Sequence, residues 1–349
     1  MIPSLAALAH GRDNNFQLIR LAAAAAVVFF HSYALTNRWT DEPLWRLIPE
    51  LNFAVLGVAS FFVISGFLVT QSWLARAGVV PFVAARVLRI YPALIGAVAF
   101  TVALAWASSA LDAASFFGNP QTLDYALHVA PGWEIRYRLP GAFAANPVPH
   151  DVNGSLWTLP VELRLYVAVL VAGVTGLLAR PVVWLAVLSA LFVLLLLRPD
   201  WFPMPLDSVT KDLVLLFALG SLAYVWRSAI PVSLAIAAVA LLLVILNPGG
   251  LARGVLMLPL LAYLVLVAAY HPWLSWPAFN RVGDYSYGVY VYAFPIQQTL
   301  VERIPLIEPL PLFALAFPLT LAVAALSWHC VEAPALGLKS RFRPTDRTR

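Results

Sequence analysis

Three places in this chain set charged or hydrogen-bonding side chains inside apolar runs. At membrane depth each such group costs a few kcal/mol even on lenient insertion scales, which makes it a functional candidate by default. The first is RLAAAAAVVFFH, with Arg20 and His31 separated by 11 residues. That is about three helical turns, so both side chains fall on nearly one face, about 16 Å apart along the axis. A neutral imidazole serves as a base near pH 7. The structural alternatives are an interfacial anchor for Arg20 and an interhelical hydrogen bond for His31, and the run of five alanines fits close helix packing. The second place is ARVLRIYP, where Arg86 and Arg89 lie three residues apart on one helical face, just before Tyr91. Two guanidiniums suit a phosphate-bearing ligand, and they equally suit positive-inside anchors or contacts to lipid phosphates. The third is NGSLWTLPVELRLY, where Glu162 and Arg164 follow Pro160. Glu162 fits a general base, an orienter for a histidine, or a structural partner for an arginine.

Weaker signals accompany these. Ser65-Gly66 in FFVISGF permits close packing or a helix break, and DYSYGVYVYAFP, with Tyr287 and Tyr290, is an aromatic stripe that packing alone explains. Glu332, in SWHCVEAP, is placed to pair with an arginine near the inner face. The six histidines are scattered without metal-ligand spacing, and no phosphate-binding glycine loop or serine-hydrolase elbow occurs.

The elements that must hold these residues follow from composition. The chain has 349 residues, 62% hydrophobic and 11% charged, with a mean hydropathy of +0.83. A soluble domain is about a quarter charged, so a water-soluble enzyme is excluded, and a single cysteine excludes an internal disulfide framework. An all-α polytopic membrane bundle is the expected fold class. Apolar runs of about 20 residues predict ten spanning helices, near 16–35, 51–73, 87–110, 158–179, 181–198, 212–227, 230–247, 251–270, 284–303 and 310–331. The first is read as a retained helix, with no cleavage site after it. One long polar connection, about 112–157, stands between the third and fourth. Residues 1–338 are read as a single transmembrane domain with no appended soluble domain, and 339–349 as a short basic cytoplasmic tail. With both termini inside, 13 basic residues face the cytoplasm and 8 the outer side, the sense expected of the positive-inside rule. The net charge of +5 is read as this bias, so no nucleic-acid partner is expected.

Taken together, these segments resemble the acyltransferase-3 family of integral membrane acyltransferases, which O-acylate sugars and other envelope hydroxyl compounds. Arg20-x10-His31 resembles the family's R-x10-H, FFVISGFL its FFxxSGF, and Arg86 to Pro92 its RxxRIxP. Ser155 to Glu162 is similar to SLWxLxxE, Ser286 to Tyr290 to SYxxY, and Trp328-x3-Glu332-x-Pro334 to the closing W-x3-E-x-P. The match runs in order over about residues 14–336. It departs at Ala293, where members often carry a histidine.

The resemblance implies transfer from an acyl-CoA co-substrate, usually acetyl-CoA, with no permanently bound cofactor and no metal. The expected acceptor is a hydroxyl of an envelope glycan or lipid-linked saccharide, such as an exopolysaccharide precursor, and polysaccharide-biosynthesis proteins are expected partners. In this reading His31 is the catalytic base, with Glu162 orienting it or stabilising its imidazolium. Arg20, Arg86, Arg89 and Tyr91 bind the donor, while Asn153, Ser155, Trp157 and Tyr166 border the acceptor. Ser65, Tyr287, Tyr290 and Glu332 support the site. The expected location is the bacterial inner membrane. The alternative is a transporter or flippase of an envelope intermediate, since buried charges also line transport paths, though no inverted repeat is visible.

Overall fold

The computed structural model describes residues 2–9, 13–48, 51–198, 201, 207–246 and 251–342. Arg12, Arg343, Arg347 and Arg349, counted above on the inner side, lie outside the described residues, as does the basic tail beyond Phe342. Among the described residues there are helices and no strands. Ten long helices stand where apolar runs predict them: α1 (Phe16–Leu35), α2 (Phe53–Ala75), α3 (Val79–Ser108), α4 (Leu159–Val174), α5 (Pro181–Leu197), α6 (Ser208–Val225), α7 (Leu234–Leu246), α8 (Leu251–Tyr270), α9 (Ser286–Arg303) and α10 (Pro309–Ser327).

Among the described residues, six segments are long and apolar enough to cross a membrane by length and composition: Phe16–Leu35, Phe53–Ala75, Val79–Ser108, Gly154–Val174, Ser208–Val225 and Pro309–Phe342. Helices α5 and α7 are shorter, with 17 and 13 residues. Helix α9 has 18 residues but carries tyrosines, two glutamines, Glu302 and Arg303. Its polarity has a physical reason. From Gly288 to Gln298 every residue is buried, so protein groups, not lipid, meet its polar side chains.

A second difference concerns α3, which begins at Val79, eight residues before the expected 87. Arginine is a good helix former, so Arg86, one residue before the expected start, and Arg89 both sit two to three turns inside the helix. The connection after α3 is also partly ordered into helix. Ala113–Phe117 is capped by the Asp112 carboxylate and Pro120–Val129 by Asn119, each accepting from a first-turn N–H, and a 3-10 turn at Gly154–Thr158 leads into α4.

The chain divides into two compact units. The first comprises residues 1–20, 58–82 and 164–283. Here α2 and α6 touch backbone to backbone. A Cβ on Gly66 would lie 2.0 Å from the Phe217 carbonyl oxygen, and one on Gly220 would lie 2.2 Å from that of Val63. The Ser65-Gly66 pair thus serves close packing, and α2 runs through it unbroken. Around this crossing Phe16, Phe67, Tyr224 and Tyr270 stack edge to face, and Thr70 donates to Ser221.

The second unit comprises residues 21–57, 83–163 and 284–349. Buried Glu42 organises the entry to α2: its carboxylate accepts from the Trp45 N–H at 2.6 Å and from the Phe53 N–H at 3.0 Å. Helices α9 and α10 pack closely, with Gly288 against Ala324. This unit holds most of the chemistry.

Candidate active site

The site is best built outward from α9. Pro295 lies inside this helix and has no N–H, so the Val291 carbonyl one turn earlier loses its helical partner. Asn153 supplies it, its side-chain amide donating to that oxygen at 2.9 Å. Two residues further along α9, Gln297 and Gln298 point in different directions. The Gln298 amide donates to the Val148 and Asp151 carbonyls at 3.0 and 2.7 Å, while its own oxygen accepts from Asn146 at 2.7 Å. Asn146, Gln298 and Asn153 therefore pin residues 146–153 onto α9. In that segment burial pushes the Asp151 carboxyl up from its ordinary value, opposed by the charges of Arg138 and His150.

Gln297 turns toward α1. Its amide donates to the Val28 carbonyl at 2.9 Å and to Ser32 Oγ at 2.8 Å, the positions that flank His31 on that helix. The imidazole of His31 packs edge-on against Phe294, with ring centroids 5.2 Å apart and planes at 82°. Phe294 in turn lies against Gly154, where a Cβ would stand 2.7 Å from the ring. One aromatic ring thus separates the expected base from the strand of chain that carries Asn153, Gly154 and Ser155.

Several polar atoms here are buried and have no hydrogen-bond partner among the described residues: His31 Nδ1, Ser155 Oγ, Asn153 Oδ1 and Gln297 Oε1. Most buried polar groups in folded proteins are paired, so these four atoms are candidates for contact with a ligand or water. Thr158 and Tyr290 add a hydroxyl pair 2.9 Å apart. Glu162, one turn beyond Thr158, lies close enough to Tyr290 to interact with it electrostatically.

A separate cluster surrounds Arg89. Its guanidinium donates to Asp284 at 2.8 Å, lies 3.8 Å from Glu332, and faces the rings of Tyr287 and Trp328 at 5.7 and 6.0 Å. Asp284 also accepts from Ser286 at 2.6 Å, and Glu332 from Ser327 at 3.0 Å. Glu332 sits in a π-helical turn, Trp328–Glu332, that re-aims the chain after α10. Arg86 is half-buried one turn before Arg89 on the same face of α3. Tyr91, expected beside them, donates its hydroxyl to the Pro131 carbonyl at 2.8 Å.

The remaining expected residues fall elsewhere. Arg20, Ser65 and Tyr166 belong to the first unit, where the Ser65 and Tyr166 hydroxyls lie 3.1 Å apart. Trp157 is half-buried in the 3-10 turn. Sequence reasoning passed over Asp284, Phe294, Gln297 and Gln298. The signal for three of them was present, as an acid just before SYxxY and two glutamines inside an apolar run, and only the phenylalanine carried none.

A half-buried histidine near unpaired polar atoms, in a bundle of apolar helices, marks a candidate reaction centre. Comparison with known proteins identifies the family. A model of the family described as an acyltransferase domain matches residues 13–329, and the chain belongs to this acyltransferase-3 family. It is similar to nodulation protein 10 of Rhizobium leguminosarum bv. viciae, 28% identical over 370 residues, covering 95% of this chain and 95% of that one. It is also similar to an O-acetyl transferase of Shigella phage Sf6, 28% identical over 340 residues, covering 92% of this chain and 95% of the relative. No solved structure matches the chain.

Proposed function

We propose that this protein is a membrane-embedded O-acetyltransferase that moves an acetyl group from cytoplasmic acetyl-CoA to a hydroxyl of an envelope glycan or lipid-linked sugar, in a bacterial inner membrane with both termini cytoplasmic. The relative named as an O-acetyl transferase favours acetyl as the group transferred. The observation that carries the mechanism is His31. It is a base-capable ring in an apolar helix, its Nδ1 without a partner, set one aromatic ring away from the orphaned atoms of Asn153 and Ser155.

In this reading the acceptor hydroxyl gives its proton to His31 as its oxygen attacks the thioester carbonyl carbon. The carbon–sulfur bond then breaks, and the departing thiolate takes the proton from the imidazolium, leaving an ester and free CoA thiol. Glu162 stabilises the imidazolium by charge. Asn153, Ser155 and Trp157 border the acceptor. Arg86 and Arg89 hold the donor's phosphates, with Asp284 keeping the Arg89 fork in one orientation. Proteins of polysaccharide assembly supply the acceptor.

The test is consumption of radiolabelled acetyl-CoA by the purified protein in lipid discs, with an envelope polysaccharide fraction as acceptor. Wild-type protein should transfer label, and His31→Ala should fold but lose about 10²–10⁴ in rate. Near-normal transfer by that variant, or no consumption by wild type, would overturn the mechanism.

A further inference from the structure

The two adjacent glutamines of α9 differ in a telling way. Both are fully buried. Gln298 uses both ends of its amide, donating to two carbonyls and accepting from Asn146, and so is a complete structural clamp. Gln297 uses only its N–H groups, and its oxygen is left buried and without a partner. The amide cannot be turned round to cure this. Val28 offers a carbonyl, which only accepts, so nitrogen must face it. Leaving a buried carbonyl unpaired is unfavourable, so this oxygen is open to a donor that the static contacts do not supply.

His31 supplies the complementary atom. If the acceptor's proton goes to Nε2, then Nε2 must hold the lone pair beforehand and the ring hydrogen must sit on Nδ1. Nδ1 has no partner among the described residues. Both orphans lie where α1 meets α9. Gln297 is fastened to Val28 and Ser32, on either side of His31, and Phe294, one turn before Gln297, packs on the imidazole.

We propose that Gln297 is the positioning residue for His31: its Oε1 accepts the Nδ1–H hydrogen, selects the tautomer that leaves Nε2 basic, and keeps that bond when the ring becomes an imidazolium. The inference rests on His31 being the base, but the fixing of the tautomer does not require turnover.

The experiment labels histidine ring nitrogens with heavy isotope and reads the tautomer of His31 by nuclear magnetic resonance in lipid discs without acyl-CoA, the signal being assigned by its loss in His31→Ala. Wild type should show the Nδ1–H form. Gln297→Met, similar in length but with no acceptor oxygen, should shift the ring to the Nε2–H form and lower kcat by about 10-fold or more, with KM for acetyl-CoA unchanged. Gln297→Glu, which restores an acceptor oxygen, should return the Nδ1–H form even if its lost N–H contacts weaken the clamp. Ser32→Ala removes one clamp contact and spares Oε1, so tautomer and kcat should stay within about 2-fold of wild type. An unchanged tautomer in Gln297→Met, or a Ser32→Ala variant as impaired as Gln297→Met, would overturn the proposal. Should His31→Ala retain acetyl transfer while the tautomer still responds to Gln297, the mechanism falls and the positioning contact stands.

Discussion

Arg89 shows how far residue type alone constrains a role. A guanidinium in an apolar helix invites a phosphate, yet this one already lies between two carboxylates and two aromatic rings. Removing it leaves Asp284 and Glu332 buried and facing each other without a cation. Breaking a buried pair from one side costs about 3–5 kcal/mol, so Arg89→Ala should unfold at markedly lower temperature in detergent, whatever it does to donor binding. Adding Asp284→Asn to that variant should recover part of the loss, because the two sites share one interaction. Thermal unfolding of the single and double variants checks this. Equal stability of Arg89→Ala and wild type would mean that the acids are solvated and the cluster is not a structural one.

At the scale of elements, the decisive contact is between the turn that opens α4 and the middle of α9. Gly154 is there because nothing larger fits beside Phe294, the nearest ring carbon standing 2.7 Å from a built Cβ. A methyl group must push the ring, and the ring bears on His31 at 5.2 Å between centroids. Displacing a reacting group by about 1 Å can cost about 10²-fold in rate. Gly154→Ala is therefore expected to keep its fold and thermal stability near wild type while losing roughly 10- to 100-fold in kcat. Turnover unaffected by this change would show that the ring does not set the position of the imidazole.

For the whole molecule, the expectation to test is sidedness. From the bias of basic residues the 112–157 connection is expected outside and the chain end inside, an arrangement that would let the proposed donor and acceptor arrive from opposite faces. Gln121 and Ser340 are both exposed, and Cys330 is the one native thiol. On a Cys330→Ser background, Gln121→Cys should react with an impermeant thiol reagent on intact cells, and Ser340→Cys only after permeabilisation. Labelling in the reverse sense would invert the topology and remove the two-sided delivery of substrates, while leaving the family membership untouched.

By itself the sequence determined the class of protein, the places of ten helices and the segments where chemistry is concentrated. Hydrophobic run length and buried charge are local properties, legible residue by residue. It could not show which helix is enclosed by other protein groups: α9 is polar in sequence yet buried from Gly288 to Gln298. Nor could it show which polar side chains are spent on the backbone and which are left over. Gln297 and Gln298 are identical neighbours in sequence, and Glu332 read as a plain partner for some arginine. Only the tertiary structure brings Val28 and Ser32 to one amide, the 146–153 segment to the next, and Asp284 beside Glu332. Hydrogen-bond satisfaction is a property of partners far apart in the chain, and no local pattern encodes it.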